Sequence, residues 1–205
     1  MKITLNKSKI EDIDEPIVLV GVVENPKEDS ILSKKSSAIN GLVNEIVEMG
    51  DFKGESKEQL FIYSNGKIKS KRILLVGLGK EEKLTLEELR KIFGEVSRRV
   101  RDLDVKKMAV SLDYFVRNNL KAQDVVEAIT QGILMGSFQN LKYRTKNLDK
   151  FKKLDELIIF SDSLEPKTFE VGAKNGEIIA EAVNFCRELA WGPANYITPT
   201  VLAEE

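Results

Sequence analysis

The chain has 205 residues, of which 42% are hydrophobic and 32% charged, as in a folded globular protein of one good-sized domain. Its 32 lysines and arginines balance 33 aspartates and glutamates, which excludes a global electrostatic attraction to nucleic acid, membranes or other polyanions. The absence of histidine excludes serine-histidine triads, cysteine-histidine pairs and HExxH zinc helices. The single cysteine, Cys186, excludes an intrachain disulfide.

Neither a membrane helix nor a signal peptide is indicated. No apolar run reaches the roughly 18 residues that a membrane helix needs, and the opening MKITLNKSKI has no hydrophobic region. The acidic residues form no compact metal-binding pattern such as an EF-hand loop. We therefore expect a cytoplasmic protein with no membrane partner.

The first half of the chain alternates strand and helix patterns. KITL and the apolar run from Pro16 to Glu24 predict two strands, the second covered on both faces. Apolar spacings of three and four predict a helix from about Ser33 to Glu48, which GDFKGE ends. Gln59 to Ser64 predicts a strand, SNGK a hairpin turn, and Lys71 to Gly79 the most strongly buried strand.

The second half continues the alternation. Thr85 and Glu88 form a capping box that begins a helix, with its apolar face at Leu89, Ile92, Phe93, Val96 and Val100. KKMAVSLDYF predicts a strand, AQDVVEAITQGILMGSF a helix, DELIIFS a strand, and residues 167–190 a long helix. The basic segment 141–156 lacks a sustained period and predicts a mobile, solvated loop, with a nucleic-acid contact as the alternative.

Strands that are apolar on both faces and alternate with helices predict an α/β fold. We expect a mixed, mostly parallel sheet of five or six strands, with helices on both faces.

The turn after the strand at 71–79 is a weak candidate for nucleotide binding. Gly77, Gly79 and Lys80 follow a buried strand and lead into a helix, where backbone N–H groups can approach a phosphate. The spacing matches neither a P-loop nor a dinucleotide fingerprint. Turn residues that end the strand are the simpler interpretation.

Three further residue groups have two interpretations each. Trp191, beside Gly192 and Pro193 at a helix end, either anchors local packing or docks a neighbouring domain or subunit. Tyr143 and Arg144 are a weak nucleic-acid signal. Cys186 is interpreted as a small core residue and not a nucleophile, because no histidine is present to lower its pKa.

Three segments in order resemble the amino-terminal domain of the leucyl (cytosol) aminopeptidase family. They are GDFKGE, KRILLVGLGKEEKLTLEELRK and RELAWGPANYITPTVLAEE, and the likeness covers essentially the whole chain. In the third segment, Pro193, Asn195, Thr198 and Pro199 match the family pattern. Trp191 followed by Gly192 departs from it, since the family commonly has asparagine there.

The resemblance implies a macro-domain-like amino-terminal domain over 1–190 and a linker over 191–205 that leads to an absent catalytic domain. The linker or interface residues are Arg187, Trp191, Pro193, Asn195, Thr198 and Pro199. The family's two divalent metal ions, manganese or zinc, and its catalytic residues lie in the absent domain, so no residue of this chain is assigned a catalytic or metal-binding role. The family also forms hexamers.

Three functions follow as hypotheses. The chain is the non-catalytic assembly or regulatory domain of a metallo-aminopeptidase that releases N-terminal amino acids from peptides. Alternatively, it is a stand-alone macro-type module that binds ADP-ribose or a related nucleotide. A third hypothesis is an interaction protein that joins aminopeptidase oligomers through an exposed patch at Trp191, Tyr196 and Ile197.

Overall fold

The computed structural model describes residues 1–26 and 29–204, without the side chains of Ser30 and Ser33. The strands are β1 (Lys2–Lys7), β2 (Val18–Val22), β3 (Gln59–Tyr63), β4 (Arg72–Gly77), β5 (Lys107–Ser111) and β6 (Glu156–Ser161). The α-helices are α1 (Ser30–Lys35), α2 (Ser37–Met49), α3 (Leu86–Asp102), α4 (Ala122–Ser137), α5 (Glu170–Ala190) and α6 (Pro199–Glu204).

The strands form one six-stranded sheet in the order β1-β6-β5-β2-β4-β3. All neighbouring pairs are parallel except β3 and β4, which are antiparallel. This confirms the predicted α/β fold with a mostly parallel sheet, and the described residues form six strands, the higher of the two expected numbers.

Helices cover both faces of the sheet. The connection from β2 to β4 crosses the sheet in one direction, whereas those from β4 to β5 and from β5 to β6 run in the other. Because such crossovers are right-handed, α1 and α2 lie on one face and α3 and α4 on the other. Every residue of β2 is buried, as expected for a strand covered on both sides.

The helix predicted from about Ser33 to Glu48 is two helices. Ser36 has an extended backbone, with φ −150° and ψ 118°, and its hydroxyl accepts the N–H of Ile39 at 3.3 Å. Ser36 therefore caps α2 and separates it from α1, which the apolar period alone could not show. The α3 cap was predicted correctly, since Thr85 Oγ1 accepts the N–H of Glu88 at 3.2 Å.

The segment 141–156, predicted as a mobile, solvated loop, contains a 3-10 helix at Leu148–Lys150 and the first residue of β6. The relation to macro domains that the resemblance implies stays a prediction.

Candidate functional site

The turn after β4 is packed against residues 54–58. The N–H of Gly77 donates to the carbonyl of Glu58 at 2.8 Å, and the N–H of Gly79 donates to the carbonyl of Gly54 at 2.9 Å. A Cβ atom on Gly77 would lie 2.0 Å from the carbonyl oxygen of Glu55. The glycines thus let two backbone segments come into contact, and their N–H groups already donate to carbonyls of this chain.

Lys80 is exposed and precedes a 3-10 helix at Glu81–Lys83. Nucleotide binding by Gly77, Gly79 and Lys80 stays a prediction, and the amide hydrogen bonds of the turn do not favour it.

A buried ion pair lies beyond the carboxyl ends of the central strands. Arg117 donates to both carboxylate oxygens of Asp29, at 2.9 and 2.8 Å, and both side chains have no exposed surface. Arg117 also donates to the carbonyls of Tyr114 at 2.7 Å and Gly21 at 3.4 Å. Asp29 in turn caps α1 by accepting two backbone N–H groups at 3.0 Å.

This pair occupies the position where open α/β sheets commonly bind ligands. Such ligands lie between strands whose connections leave toward opposite faces, as those of β2 and β5 do here. Arg117 and Asp29 are 88 residues apart and belong to no motif, so the sequence alone gives no sign of this pair.

A second polar cluster joins the ends of β5 and β6. The carboxylate of Asp113 accepts hydrogen bonds from Lys35 and Ser161, each at 3.0 Å, from the amide of Asp162 at 2.8 Å, and from the Ser163 hydroxyl. Burial alone would raise the pKa of Asp113, but the bonds from Ser163, Asp162 and Lys35 bring it below its usual value. The cluster holds the loop after β6 to α1.

Helix α5 has two unlike faces. Its buried residues are small: Gly172, Ala173, Gly176 and Ala180. They let α5 lie close against α4, since a Cβ on Gly172 would be 2.0 Å from the carbonyl oxygen of Gln123. The opposite face carries a row of large exposed apolar side chains, which we call the α5 outer row: Val171, Ile178 and Phe185.

The predicted linker residues lie at the end of α5 and in a folded segment after it. Arg187 is still within α5 and donates to the carbonyl of Met135 at 2.9 Å. The carbonyl of Pro193 accepts the N–H groups of Tyr196 at 2.8 Å and Ile197 at 2.9 Å, which closes a turn. Thr198 Oγ1 accepts the N–H of Val201 at 3.3 Å.

Of the remaining linker candidates, Trp191 is 68% exposed, Asn195 is exposed, and Pro199 begins α6. The last residue of the predicted linker, Glu205, lies outside the described residues. The interpretation of Cys186 as a core residue was wrong, because its thiol is exposed. Small residues alone form the buried face of α5, and Cys186 is not on it.

An open groove of about 830 Å³ lies where α3, α4 and α5 end. Four arginines line it, together with four aromatic residues from the loop after α4 and the end of α5. The arginines are Arg98, Arg101, Arg144 and Arg187, and the aromatic residues are Phe138, Tyr143, Phe151 and Trp191. We call this the arginine groove, and no carboxylate is among the described residues that line it.

Within residues 1–26 and 29–204, no three histidine, cysteine, aspartate or glutamate side chains are grouped to hold a metal ion. In the same part of the chain, every helix is too short or too polar to cross a membrane.

Comparison with known proteins identifies the family. Residues 19–147 match the family model described as the N-terminal domain of the cytosol aminopeptidase family. The chain belongs to this family. It corresponds to the N-terminal part of the longer relatives, as the resemblance of the three segments indicated.

Among curated relatives, a probable cytosol aminopeptidase of Sulfurihydrogenibium sp. (strain YO3AOP1) is 30% identical over 205 residues. The match covers 100% of this chain and 40% of the relative. A probable cytosol aminopeptidase of Alkaliphilus metalliredigens (strain QYMF) is 28% identical, with 100% of this chain and 41% of the relative covered. This N-terminal domain therefore spans about two fifths of the length of the curated relatives it matches.

Solved structures agree with the fold. A tomato leucine aminopeptidase variant superimposes with a TM-score of 0.79 at 25% identity, covering 100% of this chain and 41% of that one. A bottromycin maturation enzyme, BotP, in complex with Mn gives a TM-score of 0.68 at 18% identity, over 93% of this chain and 35% of its own. The second likeness shows the fold alone.

Proposed function

We propose that this domain is the non-catalytic part of a cytoplasmic metallo-aminopeptidase that releases N-terminal amino acids from peptides. Family membership supports the reaction class, and the relatives are more than twice as long as this chain. The chemistry of such a reaction needs metal ions that activate water and polarise the peptide carbonyl. Manganese or zinc, two ions per site, would bind in the catalytic domain.

The α5 outer row is the observation that carries the assembly role. Large apolar side chains on one helix face are normally buried, and this row is exposed although the opposite face of α5 packs against α4 from Gly172 to Ala180. We assign the row to docking of the catalytic domain. The six residues from Arg187 to Pro199 named above connect the two domains, and the intact enzyme assembles as a homo-oligomer, a hexamer.

The test is hydrolysis of leucine p-nitroanilide by the pure 205-residue chain with added manganese or zinc. We expect no turnover above the metal-only blank and no tight metal binding in calorimetry. Turnover by the pure chain that chelators abolish would refute the non-catalytic role.

A further inference from the structure

We propose that the arginine groove binds a free nucleoside phosphate, with its phosphate on the arginines and its base on the aromatic residues. This inference concerns only side chains of this chain, and it shares Arg187, Trp191 and Pro193 with the proposed connection between the domains. The proposed nucleotide site lies where α3, α4 and α5 end. The turn at Gly77 lies at the other end of the strands, after β4.

The groove has cations that the fold does not use. Arg187 has a structural role, since it donates to the carbonyl of Met135 and to Asn184 Oδ1. Arg98, in contrast, has no hydrogen bond or ion pair with any residue in 1–26 and 29–204, and its side chain lines this groove. Among the described residues, Arg101 pairs only with Asp102, its chain neighbour, at 3.2 Å.

The electrostatic balance favours an anion. The groove has four guanidinium groups, and Asp102 offsets one of them. The three helix ends contribute partial charges of about −0.5 each, so about 1.5 positive charges remain. Guanidinium groups bind phosphate oxygens in pairs and with fixed geometry, which makes a phosphate the anion best matched to neighbouring arginines.

The aromatic residues favour a ligand with a flat ring. The indole of Trp191 is 68% exposed, and it is held beside Phe138 at a centroid distance of 6.4 Å. The ring centroids of Tyr143 and Tyr196 are 5.1 Å apart. The Arg144 guanidinium carbon lies 4.8 Å from the centroid of the Phe151 ring. Base stacking on such rings needs no sequence-specific contact. The groove volume of about 830 Å³ is within the range of small-molecule sites.

The experiment is calorimetric titration of the 205-residue chain at low salt with AMP, adenosine, inorganic phosphate and a single-stranded oligonucleotide. We expect AMP to bind at least about tenfold more tightly than adenosine or phosphate, because only AMP engages both halves of the groove. Arg98→Gln should weaken AMP binding about tenfold. Trp191→Ala should weaken AMP binding without changing the affinity for inorganic phosphate.

Arg99→Gln is the matched control. Arg99 neighbours Arg98 but lies over the Phe61 ring and donates to the carbonyl of Gln59, away from the groove. Its AMP affinity should stay within about twofold of the parent chain, and circular dichroism will show that all variants are folded. No AMP binding at millimolar concentration, equal binding of AMP and phosphate, or AMP binding that Arg98→Gln leaves unchanged would each overturn the proposal. So would binding of the oligonucleotide without binding of AMP.

Discussion

The pair of Arg117 and Asp29 is the residue-scale feature on which the loops at the carboxyl end of the sheet depend. Both side chains are fully buried and are joined by two hydrogen bonds. Arg117→Met leaves the Asp29 carboxylate buried without its counter-ion, so we expect a loss of about 3–5 kcal/mol in the free energy of unfolding. Urea denaturation measures this loss.

The double variant Arg117→Met with Asp29→Asn is the control for this prediction. It removes both charges, so its loss of unfolding free energy should be clearly smaller than the sum of the losses in the Arg117→Met and Asp29→Asn single variants. The prediction would be contradicted if the unfolding free energy of the single Arg117→Met variant lies within about 1 kcal/mol of that of the parent chain.

Glu156 is a residue-scale site of pH dependence. The strand register places it beside Lys2 on β1 and Lys107 on β5. Hydrogen bonds from Lys107, Lys2 and Thr4 lower its pKa from the usual 4.5 to about 2. The ionised form is therefore favoured in the folded state, and its stabilisation is present above about pH 4.5 and is lost as the pH falls toward 2.

Comparison of the parent chain with Glu156→Gln measures this effect. The difference between their thermal unfolding midpoints should be largest at neutral pH and should shrink as the pH is lowered through that window. A difference that stays constant from neutral pH down to about pH 2 would show that the carboxylate charge has no role.

At the scale of elements, the contact between α4 and α5 depends on glycines. Alanine favours a helix over glycine by about 1 kcal/mol, but a Cβ on Gly172 would lie 2.0 Å from the backbone oxygen of Gln123. The clash involves backbone on both sides, so it outweighs the propensity. We expect Gly172→Ala to destabilise the domain by about 1–3 kcal/mol in urea denaturation.

Gly41→Ala is the matched control, because Gly41 lies within α2 and a Cβ there would meet nothing within 4 Å. That substitution should stabilise the domain by up to about 1 kcal/mol. If Gly172→Ala and Gly41→Ala shift the unfolding midpoint in the same direction, the close packing of α5 on α4 does not depend on glycine at position 172.

Most helices and strands of this fold are indicated by the amino-acid sequence alone. All six strands and the helices α3 and α4 follow from apolar periodicity. Helix α5 was also predicted from apolar residues, but several of these lie in the α5 outer row and are exposed. The break at Ser36 was missed, since a cap changes backbone direction without changing the period. The buried face of α5 was not evident either, because glycine and alanine carry little hydrophobic signal although they determine how closely helices pack.

The sites were less predictable than the elements. The arginine groove combines residues from α3, the loop after α4 and the end of α5, and only Tyr143, Arg144 and the linker candidates drew attention in the sequence. Spatial convergence of this kind depends on the order of strands in the sheet, which no local pattern encodes.

At the scale of the whole molecule, the carboxyl end of the sheet and the outer face of α5 differ in how far their side chains are paired or packed. The carboxyl end of the sheet is filled by the Arg117 and Asp113 clusters, whereas the α5 outer row is exposed. This chain spans 40% of a relative's length, and the α5 outer row is the surface that we propose contacts a further part of the protein.

The docking role of the α5 outer row can be tested in a fusion. We would join this chain to the remaining part of the Sulfurihydrogenibium relative in place of that relative's own N-terminal domain. If the row docks the catalytic domain, the fusion should unfold in one calorimetric transition. The double variant Ile178→Asp with Phe185→Asp should then unfold in two, because charges in an apolar interface are costly.

The same two substitutions should change the stability of the isolated chain by less than about 0.5 kcal/mol each, since both positions are exposed there. Met49→Asp is the matched control, because Met49 is 66% exposed at the end of α2, which packs on the other face of the sheet. A parent fusion with two transitions, or a Met49→Asp fusion that separates as readily as the double variant, would show that the α5 outer row is not the docking surface.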